Sequence, residues 1–114
     1  MKRIIPCLGL IACLFTNSAS AWNLSARGIN ALQFEKSGKI VFTLFENGMS
    51  GPEFLCGTGA NSQWFYVSAC SAADSVCLAS VNRMASMLLS AKLAGKQVHV
   101  LRNNCEVTAA ALKP

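Results

Sequence analysis

Residues 77–105, CLASVNRMASMLLSAKLAGKQVHVLRNNC, decide the fold of this chain. Read at the helical period, Val81, Met84, Ala85, Leu88, Leu89 and Ala91 gather on one broad face, with Asn82, Arg83, Ser86 and Ser90 opposite. Gly95 stands where a left-handed C-cap is wanted, and Lys92 and Lys96 lie near the negative end of the helix dipole. Beyond the glycine, Val98 and Val100 alternate with His99 and Leu101, the period of a strand. The stretch is therefore one amphipathic helix, a stop and one strand, ending in a cysteine. With a single good helix in the domain, the remaining strands must bury their apolar faces against it or against each other.

Upstream, residues 22–34 read as a first strand whose apolar positions do not keep a strict period of two. Ile29 and Leu32 are three apart, which a bulge between them explains, and a bulge bends a sheet round a corner. A polar turn, Glu35 to Lys39, leads to a second strand, Ile40 to Phe45, apolar on both faces except for Thr43. Asn47 to Pro52 has loop composition, with Phe54-Leu55-Cys56 as a short edge segment beyond it. Trp64 to Val67 is a third strong strand, and Asp74 or Ser75 is the N-cap of the helix. Gln97 to Arg102 and Glu106 to Leu112 complete the set. The predicted order is β-β-β-α-β-β with a bent first strand, mainly β with one helix, which is the order of an OB-fold, a small Greek-key barrel. The alternative is an open α+β sheet with the helix packed on one face.

The first residues, MKRIIPCLGLIACLFTNSASA, have a basic start, an apolar run and Ala19-Ser20-Ala21, the plan of a signal peptide over residues 1–21 with cleavage after Ala21. The apolar run is too short for a permanent membrane anchor. A lipoprotein signal through Cys13 is the competing reading, since Leu10-Ile11-Ala12-Cys13 resembles a lipobox. Either way the expected destination is secreted or periplasmic, with residues 22–114 as a single domain. In that domain the 8 lysines and arginines stand singly against 5 acids, without the basic cluster of a nucleic-acid face.

Four cysteines remain after residue 21: Cys56, Cys70, Cys77 and Cys105. An even number in a small exported chain argues for two disulfides, with three connectivities open. The preferred pairing is Cys70–Cys77, a clasp before the helix, with Cys56–Cys105 joining distant strand ends. Zinc is the rival use of four cysteines, but no Cys-x2-Cys pair is present and the expected compartment is oxidising. No metal or other cofactor is expected.

Ile29-x-x-Leu32, the turn Leu55-Cys56-Gly57-Thr58-Gly59, and the run Met87 to Val98 leading to Cys105 together resemble one family. It comprises small secreted OB-fold proteins related to the binding (B) subunits of pertussis-like and subtilase-type bacterial toxins. The likeness is one of layout and covers most of residues 22–114, the helix–Ala-Gly-Lys–strand unit being its most specific piece. It implies an OB barrel, a non-catalytic role, a homo-pentameric ring or a hetero-oligomer with an enzymatic subunit, and recognition of cell-surface glycans. No sugar-contacting position carries over, because no sugar-binding motif of those subunits is legible here.

The residues themselves point away from catalysis. His99 is the sole histidine and sits mid-strand, with no thiol nucleophile to serve once the cysteines pair, and no Gly-x-Ser-x-Gly is present. The five acids, Glu35, Glu46, Glu53, Asp74 and Glu106, are isolated in turns or at element ends. Gly57-Thr58-Gly59 is a tight turn, since no Lys-Ser/Thr follows it. For ligand binding the candidates are Trp64 and Tyr66 as an aromatic platform, with Asn61, Ser62 and Gln63 supplying directed hydrogen bonds. The helix arc is wider than one small barrel end requires, so Leu89 and Leu93, with Met87, are candidates for a subunit interface, core burial being the other reading. The expected function is an exported binding protein for glycans. The alternative is a periplasmic protein-interaction or inhibitor module without sugar affinity.

Overall fold

The computed structural model describes residues 22–114, so the expected signal peptide and Cys13 lie outside the described residues. Six strands and one helix follow in order: β1 Leu24–Phe34, β2 Ile40–Asn47, β3 Ser50–Glu53, β4 Phe65–Val67, α1 Ser75–Ala94, β5 Gln97–Asn103 and β6 Glu106–Leu112. Five of them close on themselves in the order β1-β5-β6-β4-β2 and back to β1, while β3 extends β2 at the margin. All neighbours in the ring are antiparallel except β4 and β6, which run parallel and meet at one register, Tyr66 opposite Glu106. With the helix between β4 and β5, this is an OB-fold-like barrel. The open-sheet alternative fails because β1 pairs with β5 through its first half and with β2 through its second.

Two breaks in β1 make that double pairing possible. The expected bulge lies between Ile29 and Leu32, where the extra backbone N–H, that of Ala31, is accepted by Thr43 Oγ1 at 3.0 Å. A fully buried threonine in an otherwise apolar strand is thereby explained: its hydroxyl satisfies a donor that the bulge leaves without a strand partner. The second break, between Leu24 and Arg27, carries no sequence signal. Ala26 takes a positive φ of 57° there and donates its N–H to His99 Nδ1 at 3.0 Å, while Trp22 stacks on the imidazole at 6.0 Å. His99 thus holds the corner where β1 turns across β5.

The expected short edge segment needs correction. Phe54-Leu55-Cys56 is not a strand; the extra strand is Ser50–Glu53, inside the stretch with loop composition. Gly48, at φ 62°, makes the tip of a tight β2–β3 hairpin, and Pro52 is tolerated because β3 is an edge strand. Phe54 leaves the strand to stack on Phe65 at 6.0 Å, with the Arg27 and Arg102 guanidiniums 5.3 and 5.1 Å from its ring centre. It covers the barrel interior instead of extending the sheet.

That interior is built by the inward positions of the closed strands, Phe42, Leu44, Phe65, Val98 and Val100, all fully buried. Helix α1 packs on β1, β5 and β6 and adds Leu88 and Ala91 to the same cluster, with Val81, Met84, Ala85 and Met87 against it. Burying Leu88 alone contributes about 2 kcal/mol. Leu89, placed by periodicity on the packed face, is 42% exposed, because the inward arc is centred one residue earlier, near Leu88.

Both ends of α1 follow the expected chemistry. The Asp74 carboxylate accepts the Cys77 N–H at 3.0 Å, which settles the N-cap between the two candidates. At the other end Lys96 N–H donates to Ala91 O at 2.8 Å and Gly95 N–H to Lys92 O at 3.3 Å, a Schellman closure around Gly95 at φ 66°. A Cβ on Gly95 would meet nothing within 4 Å, so alanine there tests backbone conformation alone. Gly95→Ala is expected to lower the urea midpoint by the equivalent of about 1 kcal/mol. An unchanged midpoint would mean that the left-handed cap does not hold this helix end.

Cys56 is bonded to Cys105 and Cys70 to Cys77, the preferred pairing of the three. The short link ties the loop after β4 to the first turn of α1. The long one lies beside the β4–β6 seam, where Tyr66 N–H also donates to Cys105 O at 2.9 Å. Two disulfides are the mark of an oxidising, extracellular or periplasmic environment. Among the described residues no helix is long and apolar enough to cross a membrane.

Candidate functional site

The β1–β2 turn and the loop before β4 meet on the outside of the barrel. Glu35 N–H donates to Lys39 O and Gly38 N–H to Glu35 O, each at 2.9 Å, so the turn is pinned at its base. The loop is held by Cys56 N–H donating to Ser62 O at 2.8 Å and by Trp64 N–H donating to Asn61 O at 3.2 Å. Asn61 takes a positive φ of 62°, which an asparagine tolerates better than most side chains. Between the two lies an open groove of about 520 Å³, lined by Gln33, Glu35, Lys39, Val41, Asn61 and Trp64.

Two of the five residues singled out by sequence, Trp64 and Asn61, line this groove. Tyr66 lies next to it: its strand partner is Val41, and Lys39 Nζ stands 4.8 Å from its ring centre. The alternation along β4 is as the strand period requires, Phe65 and Val67 inward and Tyr66 half-buried on the outer face. Ser62 and Gln63 are outside the lining. Ser62 uses its backbone carbonyl to fix the loop, and both residues are half-buried within it.

Sequence reading missed Gln33, Glu35 and Lys39. Residues 35–39 have no signature beyond that of a polar hairpin turn, and Gln33 is one polar position among several in β1. The available signal was architectural: in an OB-fold the loop joining the first two strands is a ligand-contacting loop. The groove combines an indole, two primary amides, one carboxylate and one ammonium. Such a set offers an apolar plane together with directed donors and acceptors, the combination that holds a polyhydroxylated ring.

The remaining candidates lie elsewhere. Leu89 and Leu93 are exposed on α1, Leu93 to 77%. Met87 does not share their side of the helix; with Met84, Ser80 and Arg83 it faces β6 across a second groove of about 340 Å³. His99 is engaged with Ala26 and Trp22, and the four cysteines among the described residues are in disulfides. Among the described residues no three acids, histidines or cysteines are grouped as metal ligands. Comparison of the chain with protein-family models, with curated proteins and with solved structures finds no match.

Proposed function

We propose that this chain is an exported, non-catalytic binding protein of the toxin B-subunit type, and that it recognises cell-surface glycans through the groove between the β1–β2 turn and Trp64. The observation that carries this reading is the groove's lining, a tryptophan flanked by Asn61, Gln33, Glu35 and Lys39 on a disulfide-tied barrel. The resemblance in layout to toxin B subunits supports the same direction, and cleavage after Ala21 delivers the domain to the compartment where its disulfides form. In a ring of such subunits the exposed Leu89 and Leu93 would be covered by a neighbour.

A glycan array probed with oxidised protein is the test. Specific binding is expected, and Trp64→Ala is expected to weaken it at least tenfold, about 1.4 kcal/mol. The half-buried Trp64 lies outside the central core, so the variant should keep its thermal midpoint within a few degrees. Uniform absence of binding across the array would overturn the proposal. The exposure of Leu89 and Leu93 favours a second reading, a protein-interaction or inhibitor module, which a single stoichiometric protein partner combined with a silent array would establish.

A further inference from the structure

We infer that the groove takes an uncharged hexose unit and that Glu35 selects it against acidic sugars; this rests on the glycan-binding reading above and names its ligand class. Glu35 projects from the fixed base of the β1–β2 turn, where its N–H and carbonyl are both used, at 2.9 Å each. Glu35 therefore lines the groove from an anchored backbone. An ionised carboxylate only accepts hydrogen bonds, and its two oxygens can accept from two neighbouring hydroxyls of one sugar ring.

Among the described residues the groove's single cation is Lys39, whose ammonium stands over the Tyr66 ring at 4.8 Å, and no arginine contributes to the lining. With one charge of each sign, the groove has no net positive charge to draw an anion. A sialic acid carboxylate or a sugar sulfate would enter beside Glu35 and meet a like charge. An uncharged hexose meets none: its apolar face lies on Trp64, its hydroxyls donate to Glu35, and the amides of Gln33 and Asn61 donate or accept as required.

The test compares neutral oligosaccharides with their sialylated and sulfated counterparts, on wild-type protein, Glu35→Gln and Trp64→Ala. Wild type is expected to bind the neutral series at least tenfold more tightly than the acidic one. Glu35→Gln, at an exposed turn position, should fold normally, lose at least tenfold on neutral sugars and lose most of the discrimination. Acidic sugars that bind wild type as tightly as neutral ones would overturn this inference, while Trp64-dependent binding would leave the glycan-binding reading standing. Neutral binding unaffected by Glu35→Gln would also overturn it. Silence of all three series removes the glycan-binding reading itself.

Discussion

Replacing Phe65 with alanine is expected to cost about 3–5 kcal/mol of folding stability, while Tyr66→Ala beside it should cost under about 1 kcal/mol. Phe65 is fully buried and stacks on Phe42 at 5.7 Å and on Phe54 at 6.0 Å. Its removal opens a cavity that the closed ring of strands cannot collapse to fill, and it leaves Phe54 without the ring it covers. The position also matters topologically. β4 has three residues, and it alone joins β2 to β6. Tyr66 is half-buried on the opposite face of that strand, outside the core cluster. Urea unfolding of both variants decides the matter: equal losses would mean that β4 does not present the faces described.

Removing the Cys56–Cys105 link, as the double variant Cys56→Ala with Cys105→Ala, is the second change of this size. The bond spans 49 positions, and on the chain-entropy model its loss costs about 4 kcal/mol. Two further effects act in the same direction. Cys56 is buried in the core cluster and Cys105 packs against it, so alanine there removes apolar contact. The bond also reinforces the seam between β4 and β6, the weakest in the ring, with one register of strand pairing and a Ser68–Glu106 side-chain hydrogen bond at 3.1 Å. The expected result is a domain largely unfolded at 37 °C, or with a thermal midpoint lower by tens of degrees. Removing Cys70–Cys77 should cost less, about 2.5 kcal/mol, since its loop spans only 7 positions. If the short link proved the more stabilising of the two, the seam would not be the weak point of the barrel.

The parts of this molecule that could be read in the chain are those specified within a few residues. Apolar periodicity and Gly95 located α1 and its end, and Asp74 was one of two candidate caps at its start. The spacing of Ile29 and Leu32 announced the bulge that lets β1 serve two neighbours. Cysteine parity implied two disulfides, and short against long separation suggested which pairs form. Errors arose where local composition and tertiary position disagree. Ser50–Glu53 looks like a loop because glycine and proline dominate it, yet an edge strand tolerates both. For Leu89 core burial and a subunit interface were both open, and its 42% exposure excludes only the burial.

The helix and its glycine stop, strand alternation, the first-strand bulge and the presence of two disulfides were thus determined by the sequence alone, whereas the cap residue, the disulfide connectivity and closure into a barrel were decided by the fold. The groove was decided by tertiary structure: Gln33 comes from the end of β1, Glu35 and Lys39 from the turn after it, and Asn61 and Trp64 from a loop more than twenty residues on. No period or spacing relates these two segments. Antiparallel pairing of β2 with β4 brings them to the same side of the barrel, and the amide, carboxylate and indole groups become one site only when the ring of strands closes.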